Sequence, residues 1–235
     1  MSPPDRLQPP GAQHLLGTDP FGRDLASRLV WGSRRTLAAA AVAVLITLGG
    51  GLPLGLLAGY HRGWIDELIV RVVDVLLAFP GVLMILGLVA LLGPGSRTVA
   101  LAVGITGVPV MTRVVRSAVL SVREEAFVEA ARSVGCRAGR VVVRHLLPNV
   151  AGPVIAFTAV QFGWAMLNAT AVSFLGLGES PAVPEWGTML NLGRGYLRSA
   201  PWASAVPGLA ITVTVLCVNL LSDTLQDRWN PPGRG

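Results

Sequence analysis

The chain has 235 residues, of which 52% are hydrophobic and 14% charged, and its net charge of +6 is carried by arginine alone, since it contains no lysine. A Walker-type phosphate loop needs its lysine and Schiff-base catalysis needs one as well, so both are excluded. Two cysteines, Cys136 and Cys217, make neither a disulfide framework nor a metal spacing. The basic balance calls for no nucleic acid, because cytoplasmic loops of membrane proteins favour arginine.

Residues 1–35 carry Arg6, Arg23, Arg28, Arg34 and Arg35, with no signal peptide and no apolar run before them. Uncharged runs then occur at Thr36–Tyr60, Val75–Ser96, Asn149–Gly178 and Ser199–Ser222. Each exceeds the roughly 20 residues that a helix needs to cross a bilayer. A fifth run, Thr98–Thr112, is shorter. It reaches span length if Arg113 and Arg116 snorkel at its end. One charge at the bilayer centre costs about 2.5–3.5 kcal/mol, so runs this long predict an all-α integral membrane fold with about five spans.

Within the first run, Gly51, Gly55 and Gly59 recur every four residues, a small-xxx-small spacing that lets helix backbones approach. Pro53 predicts a kink in the same helix. Glu67, Arg71 and Asp74 share one helix face and are expected to pair with one another rather than relay protons. Polar Gln161, Asn168 and Asn219 lie inside later runs, where they either line a pathway or bridge helices.

Residues 124–149, EEAFVEAARSVGCRAGRVVVRHLLPN, form a charged island between apolar segments. Glu124–Val134 reads as a short helix with Phe127, Ala130, Ala131 and Val134 on one side, stopped by Gly135 in a left-handed cap. A second helix carries Arg137, Arg140 and Arg144, and Pro148 suits the first turn of the next span. Seven of the 19 arginines lie in 113–148, which places that segment in the cytoplasm. Counting spans from there puts HRGWIDE (61–67) and the C-terminal Arg228 and Arg234 inside, and residues 173–203 outside. It puts 1–35 outside too, against the arginine rule. The loop 173–203, rich in Gly, Pro and Trp, is either a binding face for an external partner or a re-entrant cap on the bundle. Trp164, Trp186 and Trp202 suit an interfacial belt.

The order Glu129-Ala130-Ala131, then Gly135, then His145-Leu146-Leu147-Pro148 resembles the cytoplasmic "EAA" loop of the integral-membrane subunits of ABC importers. His145 departs from the isoleucine usual there. His-Leu-Leu-Pro-Asn is instead similar to the dipeptide/oligopeptide/nickel branch, as are LGTDPFGRD (16–24), GLPLGLLAGY (51–60), RVVDVLLAFPG (71–81), SFLGLG (173–178) and SAPW (199–202). The resemblance implies a type I importer permease bundle in the plasma or inner membrane of a bacterium or archaeon. Residues 36–223 would form the permease domain, with a coupling loop at 121–148, an external loop at 173–203 and a cytoplasmic tail at 224–235.

Glu129, Ala130, Ala131, Gly135, His145, Leu147 and Pro148 would contact an ATPase. The implied partners are a second permease, two cytosolic ATPases that bind the ATP and Mg, an extracytoplasmic binding protein and membrane lipid. This chain would hold no cofactor or metal and perform no catalysis. Short peptides are the expected substrate and nickel or a nickel chelate the alternative. A secondary transporter would need ionisable residues deep in its spans, and a membrane hydrolase would need a motif such as H-E-x-x-H or G-x-S-x-G. Neither pattern occurs. Related permeases have six spans, and the outside position of 1–35 predicts a further span upstream.

Overall fold

The computed structural model describes residues 5–229, whose regular elements are helices, with one isolated bridge between Thr18 and Asp24. The helices are α1 (Leu25–Tyr60), α2 (Trp64–Ala78), α3 (Gly81–Leu92), α4 (Ser96–Val122), α5 (Ala126–Ser133), α6 (Ala138–Val141), α7 (Leu147–Val172), α8 (Trp186–Gly193) and α9 (Trp202–Trp229). Among the described residues, four helical stretches are long and apolar enough to cross a membrane: Leu25–Tyr60, Ser96–Val122, Ala138–Leu177 and Trp202–Ser222. A fifth is counted if α2 and α3 act as one bent pair. Arg234 and the end of the predicted tail, residues 230–235, lie outside the described residues.

Two boundaries differ from those expected. The first helix begins at Leu25, not at Thr36 where the uncharged run begins. Asp24 is the reason: its carboxylate accepts the Ser27 N–H at 2.7 Å and its carbonyl accepts the Arg28 N–H, so it caps an N-terminus that arginines downstream do not prevent. The run Val75–Ser96 is not one straight helix. α2 and α3 meet at an 87° bend, because Pro80 disfavours helical backbone at the preceding residue and Phe79 is extended at ψ 136°. With 12 residues, α3 is about 18 Å long and cannot cross a roughly 30 Å hydrocarbon core alone. α1 runs unbroken through Pro53.

The chain divides into two compact units. One comprises residues 1–43, 85–103 and 163–217. Its core includes Leu25, Ala40, Ile85, Val89, Val99, Met166 and Trp186. Here residues 173–203 are a packed cap, made of a π-helical turn (Ser173–Leu177), α8 and a 3-10 turn (Arg194–Tyr196). Buried Glu185 caps α8 by accepting the Gly187 and Thr188 N–H groups, each at 2.9 Å. Trp186 is 5% exposed, so it is a core residue and not part of an interfacial belt. Its indole N–H donates to the Leu29 carbonyl at 2.8 Å and its backbone N–H to Thr36 Oγ1 at 3.1 Å.

The same unit holds the five N-terminal arginines, each with a partner. Arg6 donates to the Pro20 carbonyl, Arg23 to Asp19 and the Pro181 carbonyl, and Arg28 to the carbonyls of Pro181, Ala182 and Val183. Arg35 pairs with Glu179 at 3.3 Å. Arg34 lies over the Trp31 ring, 5.7 Å from its centroid.

The other unit comprises residues 44–84, 104–162 and 218–235. Its core runs through Met111, Val115 and Val119 of α4, Val128 of α5, Val141, Leu146, and Val150 and Val154 of α7. Gly51, Gly55 and Gly59 form the seam between α1 and α4. A methyl group at these positions would lie 2.6 Å from Met111 Cβ, 2.5 Å from Val115 Cβ and 2.6 Å from Val119 Cβ. No side chain fits, which is the packing role the spacing implies.

Candidate coupling surface

The island is two helices rather than an open loop. α4 ends at Val122, Arg123 follows, and α5 begins at Ala126. Val128 and Ala131 are buried and pin α5 to the α4 and α7 core. The predicted face is therefore split: Ala131 turns inward, while Phe127, Ala130 and Val134 remain exposed, Val134 by 80%. The periodicity of α5 was compatible with either face, and Val128 decides which is buried.

Gly135 ends the helix with φ +80°. Its N–H donates to the Arg132 carbonyl at 2.9 Å and the Cys136 N–H to the Ala131 carbonyl at 3.1 Å. These are the two bonds of a Schellman cap, which requires left-handed backbone at this position. The next helix starts with Arg137 at its cap and passes into a π-helical turn, Val142–Leu146, where the Leu147 N–H reaches back to the Val142 carbonyl. Pro148 explains the wider turn. It has no N–H to give the Arg144 carbonyl, and its ring crowds that group. His145 lies tilted against Phe127, with ring centroids 6.4 Å apart, and its carbonyl accepts the Asn149 side-chain amide at 2.6 Å. Leu147 is half-buried and Pro148 exposed.

Charged contacts fix the base of α5. Arg123 donates to the last carbonyls of α1, Gly59 at 2.8 Å and Tyr60 at 3.1 Å. A cation there also meets the negative end of the helix dipole. Burial pulls the Arg123 guanidinium below its ordinary value, and the like charges of Arg62 and Arg132 add to this. Arg62 pairs with Glu124 at 2.7 Å, and Arg132 lies over the Tyr60 ring at 5.1 Å. With Glu129 these residues line a recess of about 270 Å³.

The α2 trio pairs only in part as expected. Glu67 pairs with Arg71, whereas Asp74 pairs with Arg113 of α4. Arg116 holds Asp66 with two hydrogen bonds, 2.6 and 2.7 Å long. Arg113 and Arg116 are therefore bridges to α2, a role that no spacing within one helix reveals.

Of the deep polar residues, Gln161 is buried, and its Nε2 lies 3.2 Å from where a methyl group at Gly107 would sit. Asn168 donates to the Trp164 carbonyl one turn back, at 2.9 Å, and Asn219 is exposed. Gln161 thus sits in a close helix crossing, and Asn168 bonds within its own helix.

Residues 51–232 match the family described as "Binding-protein-dependent transport system inner membrane component". The chain belongs to this family. The permease is 45% identical over 98% of its length to the dipeptide transport system permease protein of Alkalihalophilus pseudofirmus, covering 76% of that protein. It is 42% identical over 97% of its length to the glutathione transport system permease protein of Pectobacterium atrosepticum, again covering 76%. Its fold is that of solved importer permeases. A chain of the MetNI methionine ABC transporter in an inward-facing conformation superimposes with a TM-score of 0.73 at 16% identity, over 87% of this chain and 97% of that one. An amino acid ABC transporter chain does so with a TM-score of 0.66 at 16% identity, over 86% and 94%. The chain is thus a membrane permease of a type I ABC importer, in the branch of peptide permeases that its motifs resemble.

Proposed function

We propose that this permease forms one part of the translocation pathway of an ATP-driven importer of short peptides, and that α5 and its flanks seat a separate ATPase subunit. The observation that carries this reading is the construction of α5. Phe127, Ala130 and Val134 are exposed on a helix whose opposite side is pinned by Val128 and Ala131, and a glycine cap fixes its end. An exposed apolar patch on a rigid, charge-rimmed helix suits a partner's groove. Without a lysine for a phosphate loop, the chain takes its ATP-driven step from partner subunits.

In this reading, residues 121–149 face the cytoplasm and residues 173–203 the outside, where a binding protein delivers substrate. A second permease completes the pathway, and two ATPases bind ATP and Mg. The substrate class rests on the two relatives, named for dipeptide and glutathione transport. Both substrates are short peptides.

The test is uptake of a labelled dipeptide into vesicles containing the complete transporter. Gly135→Val places a β-branched residue at φ +80° and Glu129→Lys reverses charge beside the exposed face. Each is expected to abolish uptake and weaken ATPase association while membrane insertion persists. Wild-type uptake by both variants would remove the coupling role. ATP-driven uptake of nickel but of no peptide would overturn the substrate class alone.

A further inference from the structure

The helix that carries the predicted second island segment is much longer than a bilayer requires. It runs from Ala138 to Leu177, 40 residues, or about 60 Å, against a hydrocarbon core of about 30 Å. A stretch of this length leaves turns beyond the hydrocarbon, and its first two turns carry Arg140 and Arg144, with Arg137 at the cap. All three arginines are exposed, and among the described residues none of their side chains forms an ion pair or hydrogen bond. In the same unit, by contrast, Arg71, Arg113, Arg116 and Arg123 all have partners.

The surface changes character at Leu147, three residues (about 4.5 Å along the axis) past Arg144. From there Leu147, Ala151 and Ile155 form one wall of an open groove of about 280 Å³, and Leu48 and Leu52 of α1 form the other. Thr158 is the one polar residue of the lining. Its hydroxyl is turned back to the Val154 carbonyl at 2.7 Å, so the groove presents no polar group. Arg140 and Arg144 thus precede, within one helical stretch, the residues that wall an apolar trough.

We infer that this juxtaposition is a site for an anionic phospholipid, with the headgroup phosphate at Arg140 and Arg144 and an acyl chain in the groove lined by Leu48, Leu52, Leu147, Ala151 and Ile155. Charge complementarity selects the occupant. Arginines at the membrane boundary favour an anionic headgroup, and guanidinium groups bind phosphate oxygens through paired hydrogen bonds. A zwitterionic lipid would fill the groove equally well but would leave the arginines without a net counter-charge.

The complete transporter, purified in detergent and stripped of lipid, is incubated with equal amounts of a phosphatidylglycerol and a phosphatidylcholine of the same chains, and native mass spectrometry counts what is retained. At about 1 kcal/mol per arginine near an anionic surface, two arginines predict a preference of about 30-fold for phosphatidylglycerol. Arg140→Gln with Arg144→Gln should bring this close to parity. Arg194→Gln with Arg198→Gln, an equal charge loss at exposed positions elsewhere, should leave it intact. Ala151→Phe, which fills the groove without touching charge, should lower retention of both lipids. Parity in the unmodified transporter, or an undiminished preference in the Arg140/Arg144 variant, would overturn the site. Displacement of the phosphatidylglycerol by millimolar inorganic phosphate would assign the arginines to a free anion instead. Weakened assembly with the second permease in Ala151→Phe, with lipid retention unchanged, would assign the groove to a protein interface.

Discussion

The N-terminal segment and the coupling segment are both rich in arginine, yet they use it in opposite ways. In residues 5–35 every arginine is committed to a carbonyl, a carboxylate or a ring, and Arg28 is only 8% exposed. In residues 137–144 the three arginines are exposed and have no bonding partner among the described residues. Counting arginines treats the two segments alike. The structure separates arginines that fasten a cap from arginines left free for something outside the chain. The five N-terminal arginines that oppose the positive-inside count are those that bind residues 19–31 and 179–183.

The largest test of this contrast is Arg28→Ala. It strips hydrogen bonds from three carbonyls of residues 181–183 at a buried position. Charged hydrogen bonds of this kind are worth about 1.5–3 kcal/mol, so the purified chain should lose about 3 kcal/mol, or roughly 6–12 °C in its thermal midpoint. An unchanged midpoint would mean that the carbonyl clamp is not formed in solution. Gly135→Ala comes next. Nothing lies within 4 Å of the added methyl group, so only the φ of +80° resists it. The expected cost is about 1 kcal/mol, seen as faster proteolysis of the α5–α6 junction. Arg35→Ala breaks a partly exposed pair with Glu179 and should cost at most about 1 kcal/mol, shrinking as salt is added. Arg137→Ala should cost no more than about 0.5 kcal/mol. A loss as large as that of Arg28→Ala would erase the distinction between the two segments.

Much of the fold was legible, because charge-free runs have few alternatives to spanning helices. The runs near Thr98, Asn149 and Ser199 became α4, α7 and α9. Errors arose where a charge or a proline acts through a neighbour. The uncharged run begins only at Thr36, after Arg28, Arg34 and Arg35, but helical backbone tolerates arginines whose heads have partners, and Asp24 supplies the cap. Phe79-Pro80 lies inside an apolar run and passed as part of a span, although the proline was the signal for the bend. At the coupling surface, Gly135 and the glycine seam could be read directly because they answer to local backbone and close approach. The buried side of α5 could not, since Val128 is chosen by Val115, Val119 and Val150, residues brought to it only by the tertiary fold. For the same reason the Arg113–Asp74 and Arg116–Asp66 bridges are invisible in any single helical pattern.

The glycine seam has a mechanical consequence. At Gly51, Gly55 and Gly59 the α1 backbone lies against Met111, Val115 and Val119 with no side chain between them, and Arg123 grips the carbonyls where α1 ends. Ridges this tight cannot slide by part of a turn without collision. The segments 51–60 and 111–123 are therefore locked in register as one girder, whereas the extended Phe79 breaks the helical run between α2 and α3.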